Sequence, residues 1–417
     1  MVSTREDHEL DVRPGDQRPR LLVLSSTYPR WKDDVGPVFV HELCKRLTKW
    51  FNVRVVCPHA PGALAKETME GVEVRRFRYA PERLQLLTAN GGIPANLKRS
   101  LWKWLLLPGF MVCLTLSVHK HIRHWRPNIS HAHWLIPQAL VLVFLAKIGG
   151  RGCPILATSH GSDLYGFRFW PMKAVKRFVI ENCDAVAVVS TAMVAEVRRI
   201  GISSDHLAVE PMGVDLKSKF TPDSSIARSS DEILFIGRLT KIKGVDVLID
   251  ALPKIIQSNP RAFLTIVGSG PEQNRLRKQV EDLGLRKKVV FLGALSQRSL
   301  PDLYRRAAVF VAPSIKTSDG QQEGLGLVVI EAIGCACPVI ASNYPAVHDL
   351  LREERCLFSP GSSAQLAKAV ESLLAMPCEE RIELARRQMR FLEGKFDWSA
   401  RSCSYGRLIA SLREKAG

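Results

Sequence analysis

The sequence predicts an α/β protein built from two doubly wound, mostly parallel sheets, and three observations lead there. The chain has 417 residues with 46% hydrophobic content, more than one core usually organises, so two globular domains of about 200 residues each are expected. Short apolar runs alternate with helical patterns along its length, the βαβ rhythm of sheets covered on both faces. A polar stretch rich in Pro and Ser, from Pro211 to Ser230, divides the alternation into two similar halves.

Taken in order, Met1 to Arg20 mixes Arg, Asp, Glu and Pro with no apolar stretch, which predicts a disordered tail over 1–20 rather than a cleaved secretory signal. Strands are expected at Leu21–Leu24, Val53–Cys57, Ile155–Ala157 and Ala185–Val189 in the first half. In the second they fall at Ile233–Ile236, Leu264–Val267, Val289–Leu292, Val309–Val311 and Val339–Ala341. Helices should begin near Val245, Glu272, Leu300 and Leu325. The domain boundary is placed near residue 216, giving 21–215 and 216–395, followed by an amphipathic C-terminal segment.

Ten cysteines without a C-x-x-C pair point to free thiols and a reducing, cytoplasmic setting. The net charge of +18 is uneven: the eighty residues between Glu82 and Asp163 hold nine Lys or Arg and no acid. A negative partner follows from that asymmetry. No helix-turn-helix, zinc-finger or ribonucleoprotein signature accompanies the charge, so nucleic acid is not expected and an anionic membrane surface is the better partner. Within this region Leu101 to Val118 carries one charge, Lys103, with Trp102 and Trp104 at its start and His119-Lys120-His121 after it. It is barely long enough to span a bilayer, and Pro108-Gly109 should interrupt a spanning helix. The expectation is a helix that packs in the core or lies at an interface, with Arg83, Lys98, Arg99, Arg123 and Arg126 close by. The histidines at 119, 121 and 124 share no single helical face and read as basic surface rather than a metal site.

Chemistry concentrates in two motifs. Glu323-Gly324-Leu325-Gly326-Leu327 opens an apolar helix that carries Glu331 and closes at Gly334. The amides of Gly324 to Leu327 should form a helix start able to face phosphate, with the glycines allowing close approach. Glu331, about two turns into the helix, is placed to accept hydrogen bonds from ribose hydroxyls, leaving Glu323 for hydroxyls of a sugar. Upstream, the apolar run Phe235-Ile236 ends in Gly237-Arg238, and Lys243 precedes Gly244. A guanidinium fork and a mobile ammonium can together hold a diphosphate without a metal.

In the first half, Thr158-Ser159-His160-Gly161-Ser162-Asp163 follows a strand, which puts His160 where open α/β sheets bind ligands. Asp163 either orients it or caps the following turn. His131-Ala132-His133-Trp134 looks like a strand end, with His133 lining the cleft. The histidine pair is weak as a metal site on the expectation that the two side chains take opposite faces of the strand. Gly268-Ser269-Gly270-Pro271 is read as an architectural turn.

The motif pair around Arg238-Lys243 and Glu323-Glu331 resembles the retaining glycosyltransferases of family 4, and the resemblance extends over nearly all of the chain. It implies the GT-B fold, two Rossmann-like domains facing a cleft, with a nucleotide-sugar donor held by the second domain and a saccharide or lipid-linked acceptor by the first. It also implies that Arg238 and Lys243 bind the donor's phosphates, that His160 and Glu323 serve the sugar, and that the loop after the first strand, with Gly36 before Pro37, approaches donor phosphate or acceptor. Phe396-Asp397-Trp398 and Tyr405 resemble the segment (396–417) that crosses back to the first domain. The expected activity is retaining, metal-independent sugar transfer in cell-envelope or extracellular polysaccharide synthesis, without a cofactor. A nucleotide-sugar epimerase or phosphorylase on the same architecture, or a lipid- or polyanion-binding protein with a decayed site, are the alternatives.

Overall fold

Leu21, Leu22, Val23 and Leu24 are all inaccessible to solvent, as a central strand covered on both faces requires. In the computed structural model, which describes residues 18–34, 36, 38–88, 92–149, 152–166, 169–202 and 207–416, this run is the core of strand β1 (Arg20–Leu24). Of the tail expected over 1–20, residues 1–17 lie outside the described residues, whereas Arg20 belongs to β1 and pairs in register with Asn52.

The first sheet adds β2 (Asn52–Pro58), β3 (Lys66–Met69), β4 (Val72–Phe77), β5 (Ile129–His133), β6 (Ile155–Ser159), β7 (Ala185–Val188) and β8 (Leu207–Val209). Its order is β3-β4-β2-β1-β5-β6-β7-β8, parallel throughout except for the β3–β4 hairpin. The second sheet holds β9 (Glu232–Ile236), β10 (Phe263–Val267), β11 (Val289–Gly293), β12 (Val309–Ala312), β13 (Val339–Ser342) and β14 (Leu357–Phe358), in the fully parallel order β11-β10-β9-β12-β13-β14. Two parallel-sheet α/β domains therefore stand in one chain, the GT-B arrangement.

Each sheet winds both ways from its centre. From β1 the chain goes out to β2 and later returns to β5 on the other side; from β9 it goes out to β10 and returns to β12. Ligands in such sheets sit at the carboxyl ends of the strands where the winding reverses. Those ends carry Ser25, His133 and His160 in the first domain and Gly237-Arg238 and Pro313-Ser314 in the second.

The helix Trp398–Ala416 packs against the helix Phe39–Leu47 and against β5, both in the first domain. The Tyr405 hydroxyl donates to the Glu210 carbonyl (2.7 Å), and the Tyr405 ring stacks on His131.

Leu101–Leu105 forms a 3₁₀ turn and Leu106–Trp125 a helix. Pro108 lies in its first turn, where amides have no intrahelical partner, so Pro108-Gly109 does not interrupt it. Phe110, Leu114 and Val118 pin one face to the sheet, Phe110 lying edge-on to Phe77 (5.3 Å) and Tyr79 (5.1 Å). The opposite face, with Leu105, Val112 and Leu116, is exposed. The segment is therefore half packed and half open, rather than enclosed in the core.

Candidate active site

Strand β9 delivers Gly237 and Arg238 to the cleft, and a 3₁₀ turn over Lys241–Lys243 ends at Gly244 in the left-handed region. Lys243 forms an ion pair with Glu323, both side chains mostly buried. A Cβ at Gly237 would lie 3.9 Å from the Lys243 side chain, so the Arg238 loop is in contact with this pair. Arg238 has no carboxylate partner among the described residues, and loss of water around it pulls its pKa below the ordinary guanidinium value. Lys243, Glu323, Gly326, Ser314 and Tyr344 line one small cavity. The arrangement holds two cations and one carboxylate at the second sheet's point of reversal.

The helix after Glu323 is Leu327–Gly334, with Gly326 as its left-handed N-cap (φ 94°). It begins two residues later than the sequence suggests, because that φ, strained for any residue with a Cβ, cannot continue a right-handed helix. Gly324 and Leu325 therefore precede the helix rather than supplying its first amides, and the Leu325 carbonyl accepts a hydrogen bond from the Tyr344 hydroxyl (3.3 Å). Counted from Leu327, Glu331 is little more than one turn in, not two. It is buried, and its carboxylate accepts from the Tyr304 hydroxyl (2.9 Å) and from Gln297 Nε2 (3.2 Å), while Gln297 in turn accepts from Lys219 Nζ (3.0 Å). Burial raises the Glu331 carboxyl above the usual range.

Across the cleft, His160 Nε2 lies 2.9 Å from His133 Nδ1, the two rings stacked at 15°. Phe39 and Trp134 each hold the His160 ring at 4.9 Å. Gly36 lies three residues before Phe39, in a loop whose Asp33 pairs with Arg298 of the second domain (2.9 Å); Pro37 lies outside the described residues. His133 is fully buried, one layer behind His160, so it does not line the cleft itself. His131 is also buried, its ring 4.3 Å from that of His133. The expectation of opposite faces fails here, because residues two apart on a strand return to the same side. Desolvation drives the pKa of His131 and His160 down to about 3, and that of His133 well below its ordinary value. All three rings are neutral at pH 7.

Asp163 touches neither His160 nor the cleft. Its buried carboxylate accepts from the Leu135 amide (2.7 Å) and the Ser159 hydroxyl (2.8 Å), tying the loop after β5 to the turn after β6. These bonds anchor the two loops to each other; the turn Ser162–Tyr165 that follows has no side-chain cap.

The two domains meet at glycines. A Cβ on Gly324 would fall 2.5 Å from the His160 carbonyl oxygen, and one on Gly161 would fall 3.0 Å from Gly324 Cα. The histidine motif of one domain and the glutamate motif of the other are thus in backbone contact. Among the described residues no cluster of three or more side chains could hold a metal ion. Sequence reasoning missed Lys219, Gln297, Tyr304 and Tyr344. Of these, Tyr304 alone carried a signal, as an aromatic on the Leu300-Leu303-Tyr304 stripe of the helix Leu300–Arg306 with a hydroxyl that must find a partner when buried.

Residues 36–218 match the family model described as glycosyltransferase family 4, and residues 217–390 the model described as glycosyl transferases group 1. The chain is 28% identical over 289 residues to glycogen synthase of Mycobacterium tuberculosis, covering 66% of this chain and 67% of that protein. It is 28% identical over 347 residues to phosphatidyl-myo-inositol mannosyltransferase of Mycobacterium leprae, covering 77% and 87%. Among solved structures, sucrose-phosphate synthase from Thermosynechococcus elongatus superposes with a TM-score of 0.77 at 22% identity, covering 95% of this chain and 99% of that one.

Proposed function

The chain belongs to glycosyltransferase family 4, and from that premise we propose that it transfers a sugar from a nucleoside-diphosphate sugar to a saccharide or lipid-linked acceptor in envelope or extracellular polysaccharide synthesis. Anomeric configuration is retained, and no metal takes part. The observation that carries this reading is the Lys243–Glu323 pair beside Arg238, held by the backbone contact of Gly324 against His160. Breaking the bond between anomeric carbon and diphosphate builds negative charge on the leaving phosphate. Arg238 and Lys243 are fixed cations in a partly dry site, where they stabilise that charge far more than they would in water. Glu323 positions Lys243 and takes hydroxyls of the sugar; Glu331 takes ribose hydroxyls when the Gln297 amide yields. Burial depresses the pKa of the three histidines and makes them weak bases, so on this reading the leaving phosphate itself removes the acceptor's proton.

Replacing Lys243 or Glu323 by Ala should lower kcat/KM by ~10² or more, as loss of a charged group acting on the transition state does. Near-normal transfer by both variants would end the assignment. The same assay, run with and without acceptor and with a chelator, separates transfer from epimerisation or phosphorolysis and tests the metal-free reaction; the anomeric configuration of the product tests retention.

The acceptor side is proposed to work at the cytoplasmic face of an anionic membrane. The outward stripe of Leu106–Trp125 and the turn before it runs Leu105, Val112 and Leu116, then Lys120 and Arg123, so its start is apolar and its end cationic. Phe144 and Ile148 are exposed on the helix Leu140–Gly149, which packs beside it, and Trp102 and Trp104 lie at the apolar end. A bilayer matches that gradient: acyl chains take the first turns and phosphates meet the last. The side chains of Lys98 and Arg99 lie outside the described residues. Because Phe110, Leu114 and Val118 are held by the sheet, this helix rests on a surface and does not cross it. Co-sedimentation with vesicles containing about one third anionic lipid at low salt should capture the protein. Leu105→Glu with Leu116→Glu should release most of it, and failure of the unaltered protein to sediment removes the membrane from the proposal.

A further inference from the structure

His133 and His160 are both neutral, so each ring carries one N–H, yet a single hydrogen serves the 2.9 Å contact between them. Two arrangements satisfy it. If His160 donates from Nε2, His133 must carry its hydrogen on Nε2, a fully buried atom with no partner. That leaves an orphaned buried donor, the rarer and costlier defect. If His133 donates from Nδ1, its Nε2 is left as a bare lone pair and no donor is stranded. His160 then accepts at Nε2 and carries its hydrogen on Nδ1, which has no protein partner among the described residues.

We propose that His133 is a positioning residue that sets the tautomer of His160, so that His160 presents Nδ1–H to an oxygen of the transferred sugar. The sugar contact rests on the reading of His160 given above; the tautomer does not. His133 is suited to the task because β5 fixes its backbone and because His131, on the same face, packs its ring from the other side at 4.3 Å. His131 is itself held by Thr158 Oγ1 (2.8 Å). The result is a donor of fixed direction at a site with little water to reorganise, the kind of dipole that acts on a transition state without reorientation.

The test has two arms. In unaltered protein labelled with ¹⁵N in its histidine rings, the His160 resonances, identified by their loss in His160→Gln, should show a protonated Nδ1 and a bare Nε2. A proton on Nε2 overturns the proposal, and this arm reads out whether or not any nucleotide sugar is turned over. In the kinetic arm, His133→Asn places a donor near the position of Nδ1, whereas His133→Leu fills the space without one. Asn should keep kcat/KM within about threefold and Leu should lose ~tenfold, the equivalent of one good hydrogen bond. Nucleoside-diphosphate binding, read by thermal shift, should be equal in both and also reports that they fold. Equal transfer rates for Asn and Leu would show a packing role and overturn the proposal.

Discussion

Lys243 and Glu323 are eighty positions apart in sequence and joined in space, and each was visible in the sequence because a charged residue stood at the edge of an apolar run. Glu331 was visible for the same reason, but Gln297, which bonds it, and Lys219, which bonds Gln297, come from segments with no periodic relation to it, so beyond Tyr304 nothing local announced the network. The buried histidines carry a pH signature. Their folded-state pKa values are depressed, so the neutral ring favours folding; the stability this gives is present above the ordinary value near 6.5 and is lost as pH falls through that value toward about 3. Between pH 6.5 and 5, His131, which is inaccessible to solvent, should withdraw about 2 kcal/mol, at 1.36 kcal/mol per pH unit. Thermal unfolding followed from pH 7.5 to 5 should show the midpoint falling in that window, and His131→Asn should flatten the fall. A midpoint unchanged to pH 5 would mean that the His131 ring is not sealed from water as the structure has it.

Among the elements, the strands read most readily were those buried on both faces, such as Leu21–Leu24 and Val309–Val311, where an unbroken apolar run leaves little choice. The hairpin β3–β4 is not legible in the sequence, because Glu73, Arg75 and Arg76 break its apolar run. In the folded chain Glu73 pairs with Arg54 and Arg75, and Arg76 with Glu67, so the charges are spent within the sheet edge itself. The start of the helix after Glu323 is illegible for a different reason: sequence shows a glycine but not its φ. Gly324 sets a sharper demand. Gly324→Ala would drive a methyl into the His160 carbonyl, prising the two motifs apart while leaving the rest of the second domain untouched. Transfer should fall at least ~tenfold with nucleoside-diphosphate affinity changed by no more than a few-fold, measured by steady-state kinetics beside calorimetry. A parallel loss of nucleotide affinity would place Gly324 in phosphate binding instead.

For the whole molecule, the two-domain architecture was legible because length, alternation and the polar middle stretch agree with one another. Contacts across the cleft were not legible, since Thr191 with Asp349 and Asp33 with Arg298 join positions more than 150 residues apart without any pattern. Tyr405→Phe tests the return of the last helix to the first domain. It would leave the Glu210 carbonyl without its hydroxyl donor, a loss of ~1–2 kcal/mol, which denaturant unfolding should register without a change in nucleotide affinity. No loss of stability would mean that water replaces the hydroxyl and that the helix is not tightly docked.

The polypeptide passes between the domains twice, and the two passages lie side by side: Val214 and Asp397 form a parallel bridge, the Val214 amide donating to the Phe396 carbonyl and the Trp398 amide to that of Val214. A paired ribbon of this kind resists sliding and stretching but yields to bending, like a cloth hinge on a box. A swing of one domain about this ribbon would leave the ribbon intact while parting Asp33 from Arg298 and Thr191 from Asp349, which bridge the domains elsewhere.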